Sequence, residues 1–88
     1  MFTIYILYSI KDRRLYVGCT TNVSKRVKRH NYGEVQATKS RRPLVLIHSE
    51  IFENKGEAFQ RERFLKSLWG ARAKKKILRE WLDKDQMF

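Results

Sequence analysis

The 88-residue chain has few of the residues that form cross-links and metal clusters, and no long apolar segment. Its one cysteine, Cys19, excludes an intramolecular disulfide, and with two histidines it forms no set at zinc-binding spacing. The apolar run from Phe2 to Tyr8 is far shorter than the roughly 20 residues that cross a bilayer, and it lacks the basic flank and cleavage site of a secretory signal. These absences favour a cytoplasmic protein with no membrane-spanning segment.

Acidic residues are also scarce. Nine Asp and Glu oppose twenty Lys and Arg, which gives a formal net charge of +11. Such a surface predicts a polyanionic partner, either a nucleic acid or an anionic membrane surface. The composition, with 42% hydrophobic and 12% aromatic residues, is that of a folded protein. Its length predicts one domain over residues 1–88, with a single modest core.

Hydrophobic periodicity predicts an α+β fold, a small three-stranded antiparallel sheet flanked by helices in the order β-β-α-β-α-α. The third strand, a nearly continuous apolar run, is expected to be central and buried on both faces. Thr20, Thr21 and Asn22 are candidate N-caps of the first helix, and Asn54 is the candidate for the second. The segment 34–42 is expected to be a polar surface loop. The predicted elements are a hairpin of strands Phe2–Tyr8 and Leu15–Cys19, a helix Val23–Tyr32, a strand Leu44–Ile51, a helix from Asn54 to about Trp69, and a helix from about Arg72 to Asp83.

Five residues carry the functional groups that phosphodiester hydrolysis requires. The reaction needs a proton acceptor for the attacking water, charge stabilisation at phosphorus and assistance to the leaving oxygen. The chain offers Tyr5 and Tyr16 in the hairpin, Arg26 and His30 on one side of the first helix, and Glu62 at the border of the apolar face of the second helix. Taken singly, each is better explained by packing, solvation or, for Glu62, an ion pair with Arg61 or another cation.

The order and spacing of these residues are more specific than any one of them. Thr3-Ile4-Tyr5, Tyr16-Val17-Gly18, Arg26, His30-Asn31 and Ala58-Phe59-Gln60-Arg61-Glu62 together resemble the GIY-YIG endonuclease family. The resemblance extends from Phe2 to about Leu78 and is greatest to the small stand-alone members. The chain is also similar to the N-terminal nuclease domain of excinuclease C. Thr3 replaces the glycine of the first motif, and Cys19 occupies a position where some active members have lysine.

The resemblance implies a role for each of the five residues. Tyr5, Tyr16, Arg26 and His30 would be catalytic, with Tyr16 activating the water, Arg26 stabilising charge on the phosphoryl oxygens, and His30 assisting proton transfer or orienting a tyrosine. Glu62 would bind one Mg²⁺ or Mn²⁺ ion, weakly unless substrate is present.

The sequence thus favours a metal-dependent endonuclease that hydrolyses DNA, selects structure rather than sequence, and acts in DNA repair or processing. RNA is a less favoured substrate, no small-molecule cofactor is expected, and the oligomeric state is open. A nucleic-acid-binding module of little or no activity on the same fold is the alternative, as is a subunit that needs a partner for activity. The residues expected to contact nucleic acid are Lys25, Lys28, Arg29, Lys39, Arg41 and Arg42.

Overall fold

The computed structural model describes residues 1–85, and the order of its strands and helices is the predicted β-β-α-β-α-α. Short 3₁₀ turns lie at Lys39–Arg41 and Leu68–Gly70. No helix within residues 1–85 is both long and apolar enough to cross a membrane. The elements are β1 (Phe2–Ser9), β2 (Leu15–Thr20), α1 (Val23–Asn31), β3 (Leu44–Phe52), α2 (Lys55–Lys66) and α3 (Ala71–Asp85).

The sheet is antiparallel with the strand order β2-β1-β3, which confirms the predicted fold class but not the predicted position of the third strand. The expectation that β3 is central and buried on both faces is wrong, because β1 lies between the other two strands. Leu46 and Ile51 of β3 are 37% and 64% exposed. Both β1 and β3 are rich in apolar residues, and an apolar run alone does not show which strand pairs on both sides.

Alternation along β1 divides the core between the two faces of the sheet. On one face Ile4 and Ile6 pack with Val17, Ala58 and Leu65, and α2 covers this cluster. On the opposite face, Tyr5 and Leu7 pack with Leu44, and Val23 and Val27 of α1 lie against them. Helices therefore cover both faces of the three-stranded sheet. The face with Tyr5 and Leu7 meets α1, and the face with Ile4 and Ile6 meets α2.

Asparagine caps fix where α1 and α2 begin. The side chain of Asn22 accepts a hydrogen bond from the backbone N–H of Lys25 at 3.0 Å, and the side chain of Asn54 accepts one from Glu57 at 3.2 Å. Each bond satisfies a backbone donor that has no partner inside its helix. Asn22 is thus the cap among the three candidates for α1, and the predicted cap Asn54 of α2 is confirmed.

The second helix is shorter than the sequence predicts. It ends at Lys66 instead of continuing to about Trp69, and the chain turns through Leu68–Gly70 before α3. Gly70 is buried against the backbone of Phe64 and Leu65, where a Cβ atom would overlap the Phe64 carbonyl. This close approach directs Leu68 and Trp69 outward, with 94% and 85% of their surfaces exposed, so Trp69 is not part of the apolar face of α2.

Candidate active site

A hydrogen-bonded chain of three buried side chains lies between the sheet and α1. The hydroxyl of Tyr5 bonds to His30 Nε2 at 2.9 Å, and His30 Nδ1 bonds to Thr38 Oγ1 at 2.7 Å. Tyr5 is 2% exposed, while His30 and Thr38 are fully buried. Both ring nitrogens of the histidine thus have partners, which fixes the orientation of the ring and, through it, that of the Tyr5 hydroxyl.

Gly18 makes room for Tyr5. The two residues face each other across β1 and β2, and the Tyr5 phenol lies over the glycine. A Cβ atom at position 18 would overlap the Tyr5 hydroxyl and the adjacent ring carbons. The glycine two residues after Tyr16 is therefore required by this close approach and not by an unusual backbone angle.

Tyr16 joins this cluster through its ring and is half-buried, in contrast to Tyr5. Its ring centroid lies 5.0 Å from that of His30 in an edge-on arrangement and 6.3 Å from that of Tyr5. Residues 16 and 18 are on the same face of β2, so Tyr16 lies beside the gap above Gly18. Of the three aromatic residues expected to be catalytic, Tyr16 is the one that is not fully buried.

Burial keeps the side chains of Tyr5 and His30 uncharged. Desolvation, followed by the nearby Tyr16, raises the pKa of Tyr5 well above the usual value for a phenol, and Arg26 only partly offsets this. Desolvation also lowers the pKa of His30 below its ordinary value, with Arg26 and Arg29 acting in the same direction. At neutral pH the bond between them therefore joins a neutral phenol and a neutral imidazole, an arrangement suited to holding position.

Arg26 and Glu62 line one groove, although their helices lie on opposite faces of the sheet. Arg26 belongs to α1 and Glu62 to α2, and both line a groove of about 410 Å³ at the end of β2. The groove is lined by Phe2, Cys19, Thr20, Thr21, Arg26, Lys55, Phe59 and Glu62. It thus combines one carboxylate, two cations and two threonine hydroxyls with two phenylalanine rings.

The carboxylate of Glu62 is largely buried, with 17% of its side chain exposed, and it accepts a hydrogen bond from Lys66 Nζ at 2.8 Å. Lys66 lies one helical turn further along α2 and is half-exposed. Arg61, the cation named as a possible partner for Glu62, instead donates two hydrogen bonds to Glu50 on β3, at 2.8 and 3.0 Å. Glu62 is therefore paired by an exposed, flexible lysine, while Arg61 stabilises the contact between α2 and β3.

Electrostatic effects on Tyr5 relate the aromatic cluster to the groove. Arg26 lowers the pKa of the Tyr5 phenol and Glu62 raises it, so the charges of both groove residues act on the buried hydroxyl. Cys19 lines the groove, and the pKa of its thiol is raised by burial first and by Glu62 second. A neutral thiol is a poor nucleophile, in line with a packing role for Cys19.

A second, more basic pocket of about 350 Å³ shares Arg26 with the groove. Its lining is Thr20, Thr21, Asn22, Lys25, Arg26 and Arg29. The structure thus brings two of the six residues expected to contact nucleic acid, Lys25 and Arg29, to the candidate site.

The other four residues of that set have different surroundings. Lys28 and Lys39 are exposed. Arg41 bonds to Asp12 at 2.6 Å and donates to the Leu15 carbonyl, which ties the segment before β3 to the hairpin. Arg42 donates to the Lys39 carbonyl, with its guanidinium packed close to Gly33. Contacts within the chain therefore engage both Arg41 and Arg42.

Two residues that the sequence did not single out as candidates lie at this site. Thr38 lies in a polar segment without periodicity, and only its contact with His30 reveals a role. Phe59 lies three residues before Glu62 in a helix, a spacing that places both side chains on one side. That spacing is a usable signal, whereas nothing comparable identifies Thr38.

Comparison with known proteins identifies the family of the chain. The model of the GIY-YIG catalytic domain matches residues 1–76. The chain therefore belongs to the GIY-YIG family, whose members are nucleases that act on nucleic acid and generally depend on a divalent metal ion. The resemblance inferred from the motifs is confirmed.

The relatives of the chain are small proteins of similar length. A UPF0213 protein of Natronomonas pharaonis is 47% identical over 76 residues, which are 85% of this chain and 86% of the relative. One from Staphylococcus haemolyticus is 46% identical over 65 residues, 73% of this chain and 78% of the relative. The solution NMR structure of a UPF0213 protein from Bacillus halodurans has a TM-score of 0.54 at 35% identity, and the alignment covers 89% and 83% of the two chains.

The residues of the groove are compatible with a weakly held metal ion. Within residues 1–85 no three His, Cys, Asp or Glu side chains cluster, and Glu62 is the one carboxylate among the residues that line the groove. Mg²⁺ takes oxygen ligands, retains several waters and is commonly held by one or two carboxylates together with substrate phosphates. The Glu62 carboxylate and the threonine hydroxyls of the groove provide oxygen atoms, which fits an ion whose remaining ligands are water and a phosphate.

Proposed function

We propose that the chain is a metal-dependent endonuclease that hydrolyses phosphodiester bonds of DNA in the groove at the end of β2. The observation that carries this proposal is the meeting of Arg26 and Glu62, from helices on opposite faces of the sheet, in one groove. A guanidinium and a metal-binding carboxylate at one site are what phosphoryl charge stabilisation requires. Family membership supports the nuclease chemistry.

In this proposal the residues act in three groups. Arg26 binds the non-bridging oxygens of the scissile phosphate and stabilises the charge that develops when water attacks phosphorus. Tyr16, in its phenolate form, accepts one proton of that water as the new P–O bond forms, and the leaving oxygen takes a proton from solvent as its own bond to phosphorus breaks. A divalent cation held by Glu62 would add positive charge at the phosphate. Each group makes a contact that strengthens in the transition state.

Tyr5, His30 and Thr38 act behind Tyr16 as positioning residues. Their burial prevents direct contact with substrate, but the His30 ring packs edge-on against Tyr16 at a centroid distance of 5.0 Å. The ordered histidine thereby restricts the Tyr16 ring. Among the two roles that the family resemblance implies for His30, orientation of a tyrosine is the one that this geometry supports.

The basic pocket would hold a neighbouring phosphate. Lys25 and Arg29 share the pocket with Arg26, and each neutralised phosphate adds to the counterion release that drives binding. Lys28 and Lys39 are exposed and would extend this surface. Phosphate contacts of this kind position a substrate without reading its sequence, which supports selection of DNA structure in repair or processing.

The proposal is tested by nicking of supercoiled and branched DNA with Mg²⁺ or Mn²⁺, alongside RNA of the same sequence and a reaction containing EDTA. We expect metal-dependent cleavage of DNA, and a loss of roughly 100-fold or more in rate for Arg26→Ala. Arg63→Ala, an exposed arginine on α2, is the matched control and is expected to retain activity. Cleavage by Arg26→Ala at the wild-type rate would refute the assignment.

A nucleic-acid-binding module without catalysis is the second candidate, and the Glu62–Lys66 ion pair favours it. A carboxylate that remains bound to Lys66 is less available to a cation. If this function is correct, wild-type protein binds DNA with a steep salt dependence but cleaves none of the substrates with either metal. Substitution of Lys66 by Ala would then leave cleavage undetectable, whereas in the nuclease it retains metal-dependent cleavage.

A further inference from the structure

Phe59 is an aromatic side chain within the groove that the proposed chemistry does not use. It is 47% exposed and lines the groove together with Phe2, Arg26 and Glu62. It lies three residues before Glu62 on α2, so its ring is adjacent to the carboxylate on one side of the helix. An isolated exposed phenylalanine needs no explanation, but one that lines the same groove as the arginine proposed to bind phosphate does.

The groove offers different chemistry to different parts of a nucleotide. Arg26 and Lys55 provide positive charge, and Phe2 and Phe59 provide apolar surface, all within one groove of about 410 Å³. The Lys55 ammonium lies 5.4 Å from the centroid of the Phe59 ring, a cation–π contact that keeps a charge and the ring together. A nucleotide has the complementary pair of groups, an anionic phosphate and a flat base.

We propose that Phe59 stacks against a nucleobase that adjoins the phosphate held by Arg26. The proposal rests on the proposed function for the placing of that phosphate at Arg26. A base can stack on a protein ring only when it has left the duplex stack, so Phe59 would favour nucleic acid with an unpaired base at this position. Such contacts accept any base, because every base has a π-face.

Binding of oligonucleotides in EDTA tests the contact without cleavage. Fluorescence anisotropy would compare a short single strand with a strand of the same length and charge built from abasic sites. We expect the wild type to prefer the base-bearing strand by roughly five- to tenfold, the lower part of the range for one stacked base. Phe59→Ala and Phe59→Leu should both lose this preference, while Phe59→Tyr should keep it.

Phe64→Ala is the matched control. Phe64 is on the same helix, is 40% exposed, and has the Arg61 guanidinium 5.5 Å from its ring centroid, so it shares the exposure and cation–π contact of Phe59. Because Phe64 is not a lining residue of the groove, Phe64→Ala should keep the preference for bases. Retention of that preference by Phe59→Leu, or its equal loss in Phe64→Ala, would overturn the proposal.

The failure of this inference is distinguishable from failure of the proposed function. The anisotropy measurement requires no metal and no turnover, so an inactive protein still reports the effect of Phe59. If Arg26→Ala cleaves normally but Phe59→Leu loses the base preference, the stacking contact holds and the catalytic assignment is wrong. If Arg26→Ala is inactive but Phe59→Leu binds both strands as the wild type does, the catalytic assignment holds and the stacking contact is wrong.

Discussion

His30 is buried without charge, so protonation of this residue should oppose folding. The pKa of His30 lies below its ordinary value because burial, Arg26 and Arg29 all disfavour the imidazolium. Between the pKa of the folded state and that of the unfolded state, about 6.5, the unfolded chain binds a proton that the folded chain does not. The free energy of unfolding should therefore rise with pH in this window and fall as pH decreases below about 6.5.

The size of the effect follows from linkage. One proton difference changes the free energy of unfolding by at most about 1.4 kcal/mol per pH unit. Lowered pKa values at Asp12, to about 2 beside Arg41, and at Glu50, beside Arg61, are also linked to stability. Those carboxylates stabilise the fold above their unfolded-state pKa and lose this contribution as pH falls through the lower folded-state values. Their effect is therefore confined below about pH 5.

The perturbation is His30→Gln, because an amide can replace both hydrogen bonds of the ring but does not titrate. Urea unfolding followed by circular dichroism at pH 7.5, 6.5 and 5.5 would give the free energy of unfolding of each protein. Through His30, the free energy of unfolding of the wild type should fall by up to about 1.4 kcal/mol between pH 7.5 and pH 5.5. The variant lacks this contribution, so its free energy of unfolding should fall by correspondingly less. Parallel pH profiles for the two proteins would refute the reasoning.

Two further predictions concern Thr38 and the basic pocket. Thr38→Val leaves His30 Nδ1 without its partner inside the protein and should lower the free energy of unfolding in urea by about 1–3 kcal/mol. Thr38→Ser keeps the hydroxyl and should lower it less. Equal losses in the two variants would show that the hydrogen bond is not responsible. In DNA binding, Arg29→Ala should reduce the slope of log affinity against log salt by about 1. Arg41→Ala should leave that slope unchanged because Arg41 is held by Asp12 at 2.6 Å, whereas the pair of Arg29 with Glu34 is long, at 3.7 Å, and about half exposed. An equal change in both slopes would contradict the assignment of the pocket.

Local patterns were sufficient to predict the elements and the Asn54 cap of α2, and they limited the cap of α1 to three residues. The arrangement of the strands depends on contacts that no local pattern contains. The alternation that assigns Tyr5 and Ile4 to opposite faces is a property of one strand. The central position of β1 follows from pairing with both β2 and β3, which are distant in the chain. The early end of α2 has a similar cause, since Gly70 packs onto the Phe64 carbonyl and removes Trp69 from the helix.

The candidate site was predictable to the extent that its residues fall in ordered motifs. Tyr16, Arg26 and Glu62 could be identified in this way, and Lys66 follows from its spacing of four residues from Glu62. Thr38 could not be identified, because its hydrogen bond to His30 depends on how an aperiodic loop folds back on α1. The burial of Tyr5 and His30, on which their proposed positioning role rests, also emerges only from the packed structure.

The most direct test of the catalytic groove is to measure cleavage and DNA binding in parallel for Glu62→Gln. The matched control is Glu57→Gln, an exposed glutamate in the first turn of the same helix. The account predicts that Glu62→Gln loses roughly 100-fold or more in the rate of metal-dependent cleavage while its DNA affinity in EDTA does not decrease, and that Glu57→Gln cleaves as the wild type does. Cleavage by Glu62→Gln at the wild-type rate would contradict it.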